Sequence, residues 1–276
     1  MKITPLNAPF GVEFSDFDVR EMTDEDMAIV QTEQNKHGVI FFRDQNLTPD
    51  EHIRFAKRWG EIVINRFFER VPGYEEIAQV RKEPQHERVV GEDWHTDHSY
   101  DEAPARGSIL YAREVPSSGG DTLFANMYLA YEALSDGLKD TLAGLKAWHS
   151  SRHVFSKEAI DATRSNEDRF QNHGQAVQDS LHPVVITHPL SGRKSLYVNP
   201  DFTRQFDGWT LEESRPLLEY LYNHVQQDQF IARFKWRTDS IAFWDNRATW
   251  HQAQNDYPNQ RRLMHRITLE GVRLTA

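Results

Sequence analysis

The chain of 276 residues carries 42 acidic against 32 basic side chains, a formal net charge of −10, which argues against non-specific nucleic-acid binding, since that needs a basic field to displace counterions. It has no cysteine, which excludes a disulfide framework, a thiolate nucleophile and an iron–sulfur cluster. No run approaches the roughly 18–20 apolar residues of a membrane span, and Met1-Lys2-Ile3-Thr4-Pro5 lacks an apolar signal region, so a cytoplasmic protein with no membrane partner is expected.

No linker, repeat or low-complexity tract divides the sequence, so residues 1–276 are expected to form a single domain. Residues 2–15, with Pro5, Pro9 and Gly11, read as a short strand and a turn. Thr23 offers a hydroxyl cap with Asp26 at the third helical position, and Gly38 stops that helix before a β-branched and aromatic strand over 39–42. Thr48-Pro49-Asp50-Glu51 is a stronger start, a capping box with proline at the first position, for a helix running to Trp59. Residues 62–68 and 76–80 read as strands, and the polar stretch 82–93 as a loop. Strands follow at 107–112 and 121–124, then two short helices capped by Asn126 and Ser135. From 148 to 182 the pattern is polar and irregular, which predicts a lid insertion. Residues 184–187 and 195–198 form a hairpin about Ser191-Gly192. A helix spans 210–226 with Leu217, Leu218, Leu221 and Val225 as its buried stripe, and Pro216 moves its expected start past Ser214. Segments 230–236, 240–244 and 261–272 return to strand. Many short strands, with helices gathered in insertions, predict a mainly β jelly roll.

Chemistry concentrates at Trp94-His95-Thr96-Asp97, where an imidazole and a carboxylate stand two residues apart and, in extended backbone, project to the same side. His251 could complete two histidines and one carboxylate on one face of a metal, an arrangement that leaves open positions on a ferrous ion. H-x-D alone is a weak signal and takes its weight from the parts around it. Such a site needs electrons to activate oxygen, and an α-keto acid could supply them while bringing a distal carboxylate. Arg262 offers that carboxylate a planar bidentate clamp and Thr122 a hydroxyl. Arg262, Met264 and Arg266 share one side of an extended strand, so Arg266 could meet a second anion, and His98 could point at the same substrate.

Together, Trp94-His95-Thr96-Asp97, Gly119-Gly120-Asp121-Thr122, Trp244-Asp245-Asn246-Arg247, His251 and Arg261-Arg262-Leu263-Met264-His265-Arg266 closely resemble the taurine/phenoxyalkanoate dioxygenase family. Phe41-Phe42-Arg43-Asp44-Gln45, Arg58-Trp59-Gly60-Glu61 and His182-Pro183-Val184-Val185 extend the similarity over nearly the whole chain. The resemblance implies a double-stranded β-helix (jelly roll, cupin-like) with a catalytic Fe(II) on His95, Asp97 and His251. It implies the distal carboxylate of 2-oxoglutarate on Thr122 and Arg262, O2 as the other cosubstrate, and Arg266 against the acidic group of the substrate. A small organic anion would be hydroxylated while 2-oxoglutarate yields succinate and CO2. Halogenating relatives give up the carboxylate that Asp97 retains, so hydroxylation is implied here. Asn65, Phe68 and Gly91 stand where the taurine-specific pattern has a histidine, a tyrosine and an amide-bearing residue. With His98 they are expected to line a pocket for a larger or more apolar anion, a phenoxyalkanoate-like carboxylate or a sulfonate other than taurine. A homo-oligomer, dimer or tetramer, is also implied. Two other readings compete. A metal-dependent hydrolase or isomerase with Glu92 or His98 as base leaves Thr122 and Arg262 without a role; the intact triad and both arginines count against a non-catalytic binding module.

Overall fold

The computed structural model describes residues 1–163 and 170–276, the side chains of 162 and 163 excepted. Capping organises its first third. Thr23 accepts from the Asp26 amide to start α1 (Asp24–His37), and Gly38, at φ 75°, ends it in the left-handed region that glycine enters freely. Thr48 and Glu51 cap α2 (Pro49–Lys57) in the same way. Around these helices run β1 (Lys2–Pro5), β2 (Val12–Ser15), β3 (Val39–Phe42), β4 (Ile62–Val63), β5 (Arg70–Val71) and β6 (Tyr74–Lys82). The strand expected over 62–68 stops after two residues. The Asn65 side chain accepts from the amides of Phe67 and Phe68, at 2.9 and 3.1 Å, and that local bonding competes with a ladder.

Next come β7 (Gly107–Glu114), β8 (Thr122–Asn126), α3 (Met127–Glu132) and α4 (Asp136–Leu142), with the caps expected at Asn126 and Ser135. The segment 148–182 is not irregular, as its composition predicted. It overlaps β9 (Lys146–Ser150) and contains α5 (Arg152–Phe155), α6 (Lys157–Thr163), a 3-10 turn at His173–Gln175 and β10 (Asp179–Pro183). Each of these elements is too short to display a period, and β9 is held by pairing on both edges. Residues 164–169 of that expectation lie outside the described residues.

The chain continues through β11 (Val185–Thr187), β12 (Lys194–Leu196), β13 (Thr203–Phe206), α7 (Leu211–Val225), β14 (Ile231–Phe234), β15 (Ile241–Asp245), β16 (Thr249–Ala253) and β17 (Arg262–Leu269). Helix α7 begins at Leu211, before the start that Pro216 predicted. The Thr210 and Glu213 capping box fixes its first turn, and buried Leu218, Leu221 and Val225 hold it while Pro216 forgoes one backbone bond.

The larger sheet is ordered β1-β2-β3-β15-β7-β17-β6-β5, with β4 on β17. Alternation gives it two apolar faces. Ile40, Phe42, Ile109 and Phe243 meet Val30 of α1 and Phe55 of α2 on one side. Phe41, Leu110, Trp244 and Met264 turn the other way, towards Phe124 and Phe234 of the smaller sheet β14-β8-β16. Two facing sheets with helices outside form the expected double-stranded β-helix. Among the described residues, no helix is long and apolar enough to cross a membrane.

Candidate active site

Alternation along β16 aims His251 into the space between the sheets, while Trp250 packs outward and its indole donates to the Val198 carbonyl at 2.8 Å. The expected extended segment at 95–97 exists at one residue only. His95 forms an isolated bridge with His251, with N···O distances of 3.2 and 2.8 Å, and the chain enters a turn at Asp97. That one bridge brings the imidazole centroids within 4.1 Å. Thr96 points away, its hydroxyl donating to the Asn246 carbonyl at 2.6 Å.

Nε2 of His95 lies 3.9 Å from one Asp97 oxygen, and Nε2 of His251 lies 3.9 Å from the other. One ligand atom from each of the three residues falls within 4.8 Å of the others. Bonds of about 2.0–2.2 Å to one ion hold neighbouring ligand atoms roughly 3–4 Å apart, so the donor set fits a single metal with little rearrangement. The carbonyl of Asp93 accepts from Nδ1 of His95 at 2.8 Å, which leaves the Nε2 lone pair on the side of the other two residues. Burial pushes His251 well below its ordinary range, assisted by His95, so its ring is neutral and its lone pair available. Burial alone would raise Asp97, but the Arg266 guanidinium outweighs it and holds the carboxyl below the usual range. Arg266 reaches both Asp97 oxygens, at 3.1 and 3.3 Å, and the Ser108 hydroxyl donates to Oδ2 at 2.9 Å. Gly91 sits against this centre at φ 77°, where a Cβ would meet Cε1 of His95 at 3.0 Å.

One cavity of about 320 Å³ is lined by His95, Asp97 and His251, by Thr122 and Arg262, and by Arg266, His98, Asn65, Phe68 and Gly91. Every site candidate read from the sequence therefore reaches one space. Arg262 is 3% exposed, and its Nε and one terminal nitrogen have no hydrogen-bond partner; no carboxylate among the described residues pairs with it. His98 is held at φ 59°, with Nδ1 3.0 Å from Asp101 and Nε2 3.3 Å from the Asn65 amide nitrogen. The Asn65 oxygen is already occupied by two backbone amides, so its NH2 is the group facing His98.

The sequence reading missed an apolar wall of Val154, Phe155, Ile160, Phe170 and Phe202, and a carboxyl, Asp201, that burial pushes up to about 6. Behind this wall the buried Phe67 stacks on Phe155, with ring centroids 4.4 Å apart. The elements that carry Val154, Phe155 and Ile160 left no periodic trace, so nothing in the sequence pointed these side chains inward.

The family model described as "Taurine catabolism dioxygenase TauD, TfdA family" matches residues 2–268. An alpha-ketoglutarate-dependent sulfate ester dioxygenase of Pseudomonas putida is 33% identical, over 98% of this chain and 90% of its own length. An alpha-ketoglutarate-dependent 2,4-dichlorophenoxyacetate dioxygenase of Burkholderia sp. (strain RASC) is 32% identical, over 88% of this chain and 85% of its own. The crystal structure of AAD-2 in complex with Mn(II) and N-oxalylglycine superposes with a TM-score of 0.81 at 30% identity, covering 100% of this chain and 99% of that one.

Proposed function

The chain belongs to the TauD/TfdA family of α-ketoglutarate-dependent dioxygenases, and from that premise we propose roles for its residues and a substrate class. The protein is an oxidoreductase that uses Fe(II), 2-oxoglutarate and O2 on a small organic anion. In our reading His95, Asp97 and His251 hold the iron, Thr122 and Arg262 hold the distal carboxylate of 2-oxoglutarate, and Arg266 meets the anionic head of the substrate. Asn65, Phe68, His98 and Gly91 form part of the wall around that substrate. When bound, the iron with its two cosubstrates supplies the oxidant for a C–H bond, and succinate and CO2 are released.

The observation that carries this reading is Arg262. A buried guanidinium without a carboxylate is costly, by several kcal/mol, and a dicarboxylic cosubstrate relieves that cost through a bidentate contact. The remaining side chains do preparatory work. Arg266 and Ser108 fix the plane of the Asp97 carboxylate, the Asp93 carbonyl fixes the His95 tautomer, and burial keeps His251 neutral. The wall of Phe155, Phe170 and Phe202 excludes water and favours an apolar body, which supports a phenoxyalkanoate-like carboxylate or a sulfonate larger than taurine. A hydrolytic centre that used Glu92 or His98, the bases the sequence offered, would need one of them free. Glu92 is engaged by Arg88 and by the Val89 amide, and both nitrogens of His98 are engaged.

Anaerobic titration of the Fe(II)-loaded protein with 2-oxoglutarate tests the assignment. A saturable visible charge-transfer band is expected, lost in His95→Ala and weakened in Arg262→Ala. Absence of the band with iron demonstrably bound would overturn it. The same family reading extends to a cytoplasmic homo-oligomer of two or four copies, which a monomer mass in sedimentation would contradict.

A further inference from the structure

Trp236 lies two residues beyond β14, 8% exposed, with its ring edge-on to Phe234 at 4.9 Å. Its indole Nε1 donates to the Thr122 hydroxyl oxygen at 2.9 Å. The guanidinium carbon of Arg262 stands 5.7 Å from the centroid of the same ring. One side chain thus contacts both groups assigned above to the cosubstrate carboxylate.

The chemistry of the indole makes that contact directional. Its N–H donates and never accepts, so the Thr122 oxygen must receive the bond, and the hydroxyl hydrogen is turned elsewhere. No acceptor for that hydrogen is found among the described residues. A serine or tyrosine in place of Trp236 could accept from Thr122, leaving an oxygen lone pair facing the cavity and repelling an anion. The ring also backs the Arg262 guanidinium, as aromatic faces do for cations.

We propose that Trp236 is a positioning residue for the cosubstrate: its indole N–H fixes the Thr122 hydroxyl as a donor, and its ring backs Arg262, so both contacts to a distal carboxylate are set before it arrives. This rests on the assignment of Thr122 and Arg262 to 2-oxoglutarate. The signature is selective. An acid with the distal carboxylate should depend on the indole N–H, and the same acid without it should not.

The test uses calorimetry on the Mn(II)-loaded protein with 2-oxoglutarate and with 2-oxopentanoate, which has the same chain length but no distal carboxylate. In Trp236→Phe the dissociation constant for 2-oxoglutarate is expected to rise about threefold to tenfold, the range of one hydrogen bond, while that for 2-oxopentanoate changes less than about twofold. Trp236→Phe should add no further loss on top of Thr122→Val. Should the smaller ring disturb folding, benzothienylalanine at position 236 replaces the N–H with sulfur at nearly constant shape, and the same selectivity is expected. Equal losses for both acids, no loss for 2-oxoglutarate, or additive losses with Thr122→Val would overturn the proposal. Arg262→Ala, measured in parallel, separates the two levels. If it leaves 2-oxoglutarate affinity unchanged, the cosubstrate assignment fails; if it weakens binding while the Trp236 variants are silent, the role of Trp236 alone fails.

Discussion

His251 and His52 are both buried and both pushed down by desolvation, yet they serve the protein differently. His251 turns a neutral ring towards Asp97 and His95, where a lone pair has a use. His52, 0% exposed on α2, lies edge-on to Tyr111 and is held at about 3 by burial, with His265 and Arg113 adding to the effect. Because its folded value lies below the unfolded value of about 6.5, the unfolded chain takes up the proton first. Stability is therefore complete above about pH 6.5 and falls as pH drops towards 3, by up to about 1.4 kcal/mol per pH unit. His265, lowered to about 4 by burial and Arg113, acts with the same sign over a shorter window. His52→Leu is expected to flatten the slope of unfolding free energy between about pH 6 and 4 by roughly 1 kcal/mol per unit, measured by urea denaturation. An unchanged slope would show that His52 does not carry the acid sensitivity. At this scale the triad and the arginines were legible because they recur as motifs with fixed chemistry. Trp236 and Phe155 were not, because an aromatic residue reads as core until its register against Thr122 or the cavity is known.

Capping governed which elements could be read. The boxes at Thr23, Thr48 and Thr210 each satisfy orphan amides with a local side chain, and each marks a real helix start. At α7 the box also overrode Pro216, whose position alone argued for a later start. Thr210→Ala should lower stability by about 1 kcal/mol and the melting temperature by roughly 2–4 °C. Affinity for 2-oxoglutarate should not change, because α7 packs outside the smaller sheet, with Tyr222 against the outward-facing Trp250 at 5.9 Å. A fall in that affinity would mean that α7 supports the site more directly than its packing indicates. Strand β16 escaped detection for the opposite reason. Thr249, Trp250 and His251 are buried on both faces, so they show no alternation, and the turn at 246–248 that precedes them does not by itself announce a strand. Its existence depends on pairing with β8, where His251 stands opposite Phe124.

The proposed metal would also join parts of the molecule that the chain itself leaves separate. Asp97 is tied to the larger sheet through Arg266 of β17 and Ser108 of β7, whereas His251 belongs to the smaller sheet and carries His95 on a single bridge. An ion on all three residues would clamp the two sheets across the cavity, and unfolding would have to release it. Binding to the folded state alone stabilises by RT ln(1 + [L]/Kd), about 2.7 kcal/mol when the free metal is at one hundred times its dissociation constant. Mn(II) at that excess should therefore raise the melting temperature, and a chelator should reverse the rise. His251→Ala should abolish the metal effect, and 2-oxoglutarate should add a further increment only when metal is present and Arg262 intact. A metal-dependent rise that survives in His251→Ala would place the ion elsewhere. An increment from 2-oxoglutarate without metal would separate the anion pocket from the triad and undo the picture of one site built across both sheets.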